Sequence, residues 1–213
     1  EFAVTNLMAW SPDSEYLTYV RFDESEVPEY SMQMWGNGLY PGYYNFKYPK
    51  AGENNSKVTV HSYSVATKDI KELKVPVEGD YYIPRITFTT NSDQLAVMTL
   101  NRQQNVFNMY YVNPKSGVSR LILRDENKCY VDSEWLTSIH FNPSGFTYVS
   151  EQDGYSHIYL YSPTGVMQRQ VTKGNWDVTR LIGYDDATKV VYYESAEESP
   201  LRRSVYKIDQ KGV

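Results

Sequence analysis

Nucleophilic catalysis needs a hydroxyl or thiol beside a base, and acid–base or metal chemistry needs carboxylates, imidazoles or thiols brought together. Across these 213 residues such groups are scattered. A serine hydrolase elbow reads Gly-x-Ser-x-Gly, and that string is absent; Ser119 follows Gly117 at the right spacing, but no second glycine completes the motif, and the pair reads as a turn. The adjacent acids Asp185-Asp186 and Glu197-Glu198 stand at a turn or a strand end, where carboxylates are solvated surface. His61, His140 and His157 occur singly in strand-like stretches, as satisfied strand residues do, and not at metal-ligand spacing. Cys129 is the single cysteine, so neither a disulfide framework nor a Cys-rich metal site is available. No catalytic residue, metal site or cofactor is therefore assigned within this chain.

The elements that would position any site are strands. Four segments share one plan, in which an aromatic residue leads through a polar turn into an apolar strand and a second hairpin follows. Trp10-Ser11-Pro12-Asp13-Ser14 runs into Tyr16–Val20, and Phe88-Thr89-Thr90-Asn91-Ser92-Asp93 runs into Leu95–Met98. Phe141-Asn142-Pro143-Ser144-Gly145 and Tyr184-Asp185-Asp186-Ala187-Thr188-Lys189 repeat the plan. The second turn recurs at Thr67-Lys68-Asp69, Ser116-Gly117, Thr164-Gly165 and Lys211-Gly212. Asp, Asn, Ser and Pro favour tight turns, and Gly accepts positive φ. The intervening runs, such as His157–Tyr161 and Lys189–Tyr193, are aromatic and β-branched, as strands are.

A two-hairpin unit repeating every ~48 residues predicts an all-β fold, a partial β-propeller of about four four-stranded blades. Blades are expected roughly over residues 1–75, 80–125, 130–174 and 178–213. A β-sandwich also has short strands and frequent turns, but it does not require the same unit four times. Both ends read as cut, so the expectation is a piece of a larger ring whose uncovered sheet faces invite self-association.

A formal net charge of −5 and a pI near 5.3, with Lys and Arg scattered, argue against a nucleic-acid partner. The 21 tyrosines suit strands that are apolar on one side and wet on the other. No apolar run reaches membrane-spanning length, and no signal peptide is visible.

One stretch breaks the spacing. Between Phe22 and Asn55 lie Tyr30, Met32, Met34, Trp35, Leu39, Tyr40, Tyr43, Tyr44 and Phe46 among glycines and prolines. A hairpin needs only two to five loop residues, so about 25 extra ones call for a function. An aromatic-rich insertion either packs on another surface as an arm or folds back over its own blade. Asn54-Asn55-Ser56 also fits the glycosylation acceptor pattern, a common triplet.

Glu26-Val27-Pro28, Tyr48-Pro49-Lys50-Ala51-Gly52, Tyr82-Ile83-Pro84-Arg85, Leu100-Asn101-Arg102-Gln103-Gln104-Asn105, Glu151-Gln152-Asp153-Gly154-Tyr155-Ser156-His157 and Thr172-Lys173-Gly174-Asn175-Trp176 follow one another in order. This ordered set, spanning nearly the whole chain, resembles the propeller domain of the dipeptidyl peptidase IV family. The resemblance implies a serine exopeptidase that removes dipeptides from peptide N-termini, with Pro or Ala second. In that family the propeller caps an α/β-hydrolase domain of the same chain, screens substrates by size and binds the free α-ammonium through two glutamates. A carboxylate in a partly dry cavity does hold such a cation well and fixes the peptide in register.

Carried onto this chain, the resemblance makes Glu1, ahead of Phe2 and the Trp10-Ser11-Pro12 turn, the second glutamate of that pair; Glu-Phe is also what a cloning scar looks like. The insertion becomes the arm used in dimerisation, with Tyr30, Trp35, Tyr40, Tyr43 and Phe46 on it, and predicts a homo-oligomer. The run Trp35-Gly36-Asn37-Gly38-Leu39-Tyr40 departs from better-known relatives. The family also supplies an aromatic and an arginine to the substrate cavity from a loop before a blade's first turn. The matching stretch, Cys129–Trp135, has no arginine, which leaves Tyr130 or Trp135 for the aromatic role. An extracytoplasmic location is implied by the resemblance alone. Two alternatives stand beside this reading: a stand-alone propeller module that binds peptides or proteins, and a related peptidase that removes tripeptides.

Overall fold

The computed structural model describes residues 7–209. Strands come in antiparallel sets. The first sheet comprises β1 (Met8–Trp10), β2 (Tyr16–Asp23), β5 (Lys57–Ser64) and β6 (Ile70–Leu73), with β3 (Glu29–Met34) and β4 (Gly42–Lys47) forming a separate two-stranded ribbon. The second holds β7 (Tyr81–Phe88), β8 (Leu95–Asn101), β9 (Val106–Val112) and β10 (Ser119–Glu126). After a 3-10 helix at Ser133–Thr137 come β11 (His140–Asn142), β12 (Gly145–Ser150), β13 (His157–Tyr161) and β14 (Met167–Gln170). The last sheet is β15 (Val178–Asp185), β16 (Val190–Ser195) and β17 (Ser204–Ile208). This is the all-β partial propeller that the repeat predicts; the short 3-10 helix, the one helix among the described residues, lies outside that prediction. The turn expected at Lys211-Gly212 lies outside the described residues.

Each first turn is closed by the side chain that the sequence places there. Asp13 Oδ1 accepts from the Glu15 N–H at 3.1 Å, Asn91 Oδ1 from Asp93, Asn142 Oδ1 from Ser144, and Asp185 Oδ1 from Ala187, each at 2.9 Å. These local bonds stop one strand and start the next without tertiary help.

Four sheets stacked side by side have three junctions, and the structure has three apolar cores. Val58, Val60, Ile86, Leu95 and Val97 fill the first junction. Met98, Leu100, Phe107, Met109, Phe146 and Tyr148 fill the second, and Val149, Ile158, Val178, Val191 and Tyr193 the third. Strand β8 is buried on both faces, and its side chains alternate between the first two cores. That is why Leu95–Leu100 reads as an almost unbroken apolar run.

Basic side chains latch the sheets at the rim. Lys71 Nζ on β6 donates to the carbonyls of Lys115 and Ser116 at 3.0 and 2.8 Å, and Arg120 on β10 repeats the device on the Thr164 carbonyl at 2.9 Å. His157 is a buried strand residue with both ring nitrogens paired: Nε2 donates to the Gly174 carbonyl at 3.0 Å, and Nδ1 lies 3.1 Å from the Thr172 hydroxyl.

Burial pushes the hydroxyls of Tyr159, Tyr161 and Tyr193 up to about 12, and that of Tyr148, buried beside the Asp125 carboxylate, well above its ordinary value. Folded, these groups keep protons that the unfolded chain gives up above an ordinary pKa of about 10. Their contribution to stability is therefore complete below pH 10 and is lost as the pH rises from about 10 to 12. Alkaline titration followed by circular dichroism and tyrosinate absorbance should show cooperative unfolding within that window. Ionisation of every tyrosine near pH 10 with the fold intact would contradict the packing described.

Candidate recognition face

In every sheet the second and third strands are joined at the end opposite the polar first turn. The connections from one sheet to the next leave from that same end, because neighbouring strands run antiparallel. The long 24–56 segment, the 102–105 and 151–156 turns, and the 74–80, 127–139 and 171–177 connections thus share one face. Residue 7, at the start of β1, lies there too; Glu1 lies outside the described residues.

The 127–139 connection carries Tyr130 and Trp135. The Asn127 N–H donates to the Asn105 carbonyl at 3.0 Å and the Val131 N–H to the Gln104 carbonyl at 2.7 Å, so the loop is fastened to the turn beside it. Asp132 then caps the 3-10 helix by accepting from the Glu134 N–H at 2.9 Å, and Leu136 anchors that helix in the second core. Tyr130 is 59% exposed. Trp135 instead packs against both the second and third cores, and its Nε1 is buried with no hydrogen-bond partner among the described residues. The two aromatics thus sit five residues apart with different surroundings, one in solvent and one wedged between sheets.

Beneath the loop, at the end of β10, Asp125 Oδ2 accepts from the Tyr148 hydroxyl at 2.9 Å and from the Ser150 hydroxyl at 2.7 Å. Sequence reasoning missed this residue: a carboxylate near the end of a strand carries no signal of the partners that the next sheet brings to it.

The same face holds a cleft of about 710 Å³ between the 24–56 segment and the second sheet, floored by Phe22, Val27, Val58 and Ile83 and rimmed by Lys47 and Arg102. The Arg102 guanidinium ties the walls together, donating to Asp80 Oδ2 at 2.9 Å and to the Glu53 carbonyl at 2.6 Å. Its position in Leu100–Asn105 gave no hint of that role.

The ribbon stands apart from the blades. Strands β3 and β4 pair only with each other, and their register puts Tyr30 opposite Phe46, Met32 opposite Tyr44 and Met34 opposite Gly42. Alternation gives those residues one face and leaves Ser31, Gln33, Tyr43 and Asn45 on the other. On the apolar face Tyr44 stacks on Phe46 at 5.4 Å between ring centroids, and Tyr30 meets Phe46 edge-on at 5.7 Å. Trp35, Leu39 and Tyr40, near the tip, are 74%, 95% and 87% exposed. Val27, 2% exposed, pins the base. The insertion therefore combines a base packed on the first two sheets with an outer two-stranded ribbon whose strands pair only with each other. No helix among the described residues is long and apolar enough to cross a membrane.

Radially stacked antiparallel sheets with connecting loops gathered on one face define a partial β-propeller. The chain belongs to the family described as the dipeptidyl peptidase IV N-terminal region, whose match covers residues 1–212. It is 30% identical to dipeptidyl peptidase 4 of Trichophyton rubrum over 93% of its own length and 27% of that protein's. The crystal structure of Porphyromonas gingivalis dipeptidyl peptidase 4 superposes with a TM-score of 0.94 at 59% identity, over 100% of this chain and 30% of that one. A putative dipeptidyl aminopeptidase IV from Bacteroides ovatus gives a TM-score of 0.80 at 25% identity, over 100% and 33%. The chain thus spans about a third or less of the length of these relatives.

Proposed function

We propose that this chain is the substrate-gating and N-terminus-recognising propeller portion of a dipeptidyl peptidase IV-like serine exopeptidase, with no peptidase activity of its own. The observation that carries the reading is the 59% identity and 0.94 TM-score with a dipeptidyl peptidase 4, maintained over the whole chain. In this reading each sheet is one blade, with boundaries near residues 75–80, 125–130 and 174–178. The loop-bearing face turns toward an α/β-hydrolase domain of the same protein, which supplies the nucleophile, base and orienting acid.

Peptides with a free N-terminus are the substrates, held by Glu1 and its partner carboxylate and flanked by Tyr130. Trp135 supports Tyr130 from below, as its packing against two cores favours. The arm, with Tyr30, Trp35, Tyr40, Tyr43 and Phe46, joins two copies of the protein, and the location is extracytoplasmic. In the full-length protein Tyr130→Ala should raise KM for a dipeptide substrate about tenfold and leave kcat nearly unchanged, as loss of one ring contact in a desolvated site does. An unchanged KM would remove Tyr130 from the site.

A serine-reactive fluorophosphonate probe tests the class of protein. The native gene product, purified from its source cells, should be several times heavier than this chain, take the label and release dipeptides from Xaa-Pro peptides. An unlabelled product of about this chain's mass would overturn the reading in favour of a stand-alone binding module.

A further inference from the structure

We infer that Asp125 is a positioning residue for peptide recognition: its carboxylate latches the Tyr130 loop to the neighbouring blade, an inference that rests on Tyr130 touching substrate. Asp125 is the penultimate residue of β10, two positions before the free loop begins at Asn127. Its Oδ2 collects two hydroxyl donors, Tyr148 at 2.9 Å and Ser150 at 2.7 Å, both on β12 of the next sheet. Tyr148 and Ser150 are 1% and 2% exposed, so each hydroxyl relies on the protein for its hydrogen bond. Two buried hydroxyls converging on one charged oxygen form a stronger tie than neutral pairs.

The loop is then held at two places of different origin. Asp125 fixes its root to the third sheet, while the Asn127 and Val131 backbone bonds fix its middle to the 104–105 turn of the second. Tyr130 stands beside the second tie and is itself exposed, so its ring position is inherited from these anchors. Loss of the Asp125 tie leaves the loop root free to shift with the junction, and a shift of about 1 Å is enough to spoil alignment of a bound peptide. The small cavity beside this tie is lined by Asp125, Trp135, Tyr148, Ser150, Glu151 and Gln152. The latch and the Trp135 wedge are therefore neighbours in one structural unit.

The test uses the full-length peptidase with Asp125→Asn and Tyr148→Phe, near-isosteric changes that keep the core filled, beside Tyr130→Ala as the reference. Two quantities are read: the KM and kcat split on a dipeptide arylamide, and amide hydrogen exchange over 127–135 against β16 as a distant control. The expected result is exchange about tenfold faster in 127–135 with β16 unchanged, and a KM raised about as much as by Tyr130→Ala with kcat altered far less. If Tyr130→Ala raises KM while both latch variants leave KM and loop exchange at the native values, the latch is overturned and the recognition reading stands. If Tyr130→Ala leaves KM unchanged, the recognition reading falls and the role of Asp125 in substrate positioning falls with it.

Discussion

On the proposed arm-mediated dimer, replacing Met32, Met34 and Tyr44 together by serine should shift the full-length protein to monomers. The three residues lie on the one apolar face of the β3–β4 ribbon, and they are 40%, 50% and 60% exposed. Contiguous exposed apolar strips of this kind mark interaction surfaces. Truncating central interface residues costs roughly 2 kcal/mol or more each at hot spots, and each 1.4 kcal/mol is tenfold in affinity. The triple change should thus weaken association by at least about a hundredfold. Folding should be spared, because none of the three residues belongs to the cores between sheets. Alanine at Ser31, Gln33 and Asn45, on the opposite face, should leave association unchanged. Sedimentation velocity separates the outcomes, and a dimer that survives the Met32, Met34 and Tyr44 change would move the interface away from the arm.

Gly145→Ala should be the most damaging Gly→Ala change among the described residues. At φ +143° the backbone occupies a region that L side chains rarely adopt, and an added Cβ would lie 1.8 Å from the Tyr161 carbonyl oxygen. Neither atom can yield, since Tyr161 pairs with Phe146 in the same sheet and the two rings stack at 5.0 Å. The β12–β13 pairing must therefore open, at a cost of about 4 kcal/mol or more, the range in which marginal domains unfold. Gly117→Ala is the matched control. It also has positive φ, at +79°, but its Cβ would meet side-chain atoms alone, Lys71 Cε at 3.4 Å and Leu73 Cδ2 at 4.0 Å. About 1–2 kcal/mol, the penalty for left-handed backbone with a side chain, is expected there. Thermal unfolding of the two variants measures the difference, and equal losses would show that the close approach at Gly145 is not what fixes that turn.

What the sequence disclosed and what it hid follow from the range of the interactions. The repeated turns were legible because Asp13, Asn91, Asn142 and Asp185 close them through bonds two residues away. Strand identity was legible from aromatic and β-branched runs, whereas the burial of β8 on both faces appears only once its two neighbouring cores are in place. The insertion was visible as a break in the repeat with an aromatic composition that no hairpin turn requires. By contrast, Tyr148 reaches Asp125 across 23 residues and Arg102 reaches the Glu53 carbonyl across 49, and such pairs exist only once neighbouring blades have stacked. The 3-10 helix at Ser133–Thr137 is too short for a periodic signal and is held by one cap and one buried leucine. Trp135 shows the same limit from the other side: the family resemblance offered it as a candidate cavity aromatic, and only packing reveals that it is wedged between two cores.

The most direct test of amine-directed gating compares kcat/KM of the purified full-length protein on one Xaa-Pro peptide with a free N-terminus and on the same peptide N-acetylated, with the isolated 213-residue chain assayed in parallel. The account predicts dipeptide release from the free peptide by the full-length protein, loss of at least about a thousandfold on acetylation because the charge-paired amine is gone, and no release by the isolated chain. Equal cleavage of both peptides, or peptidase activity in the isolated chain, would contradict it.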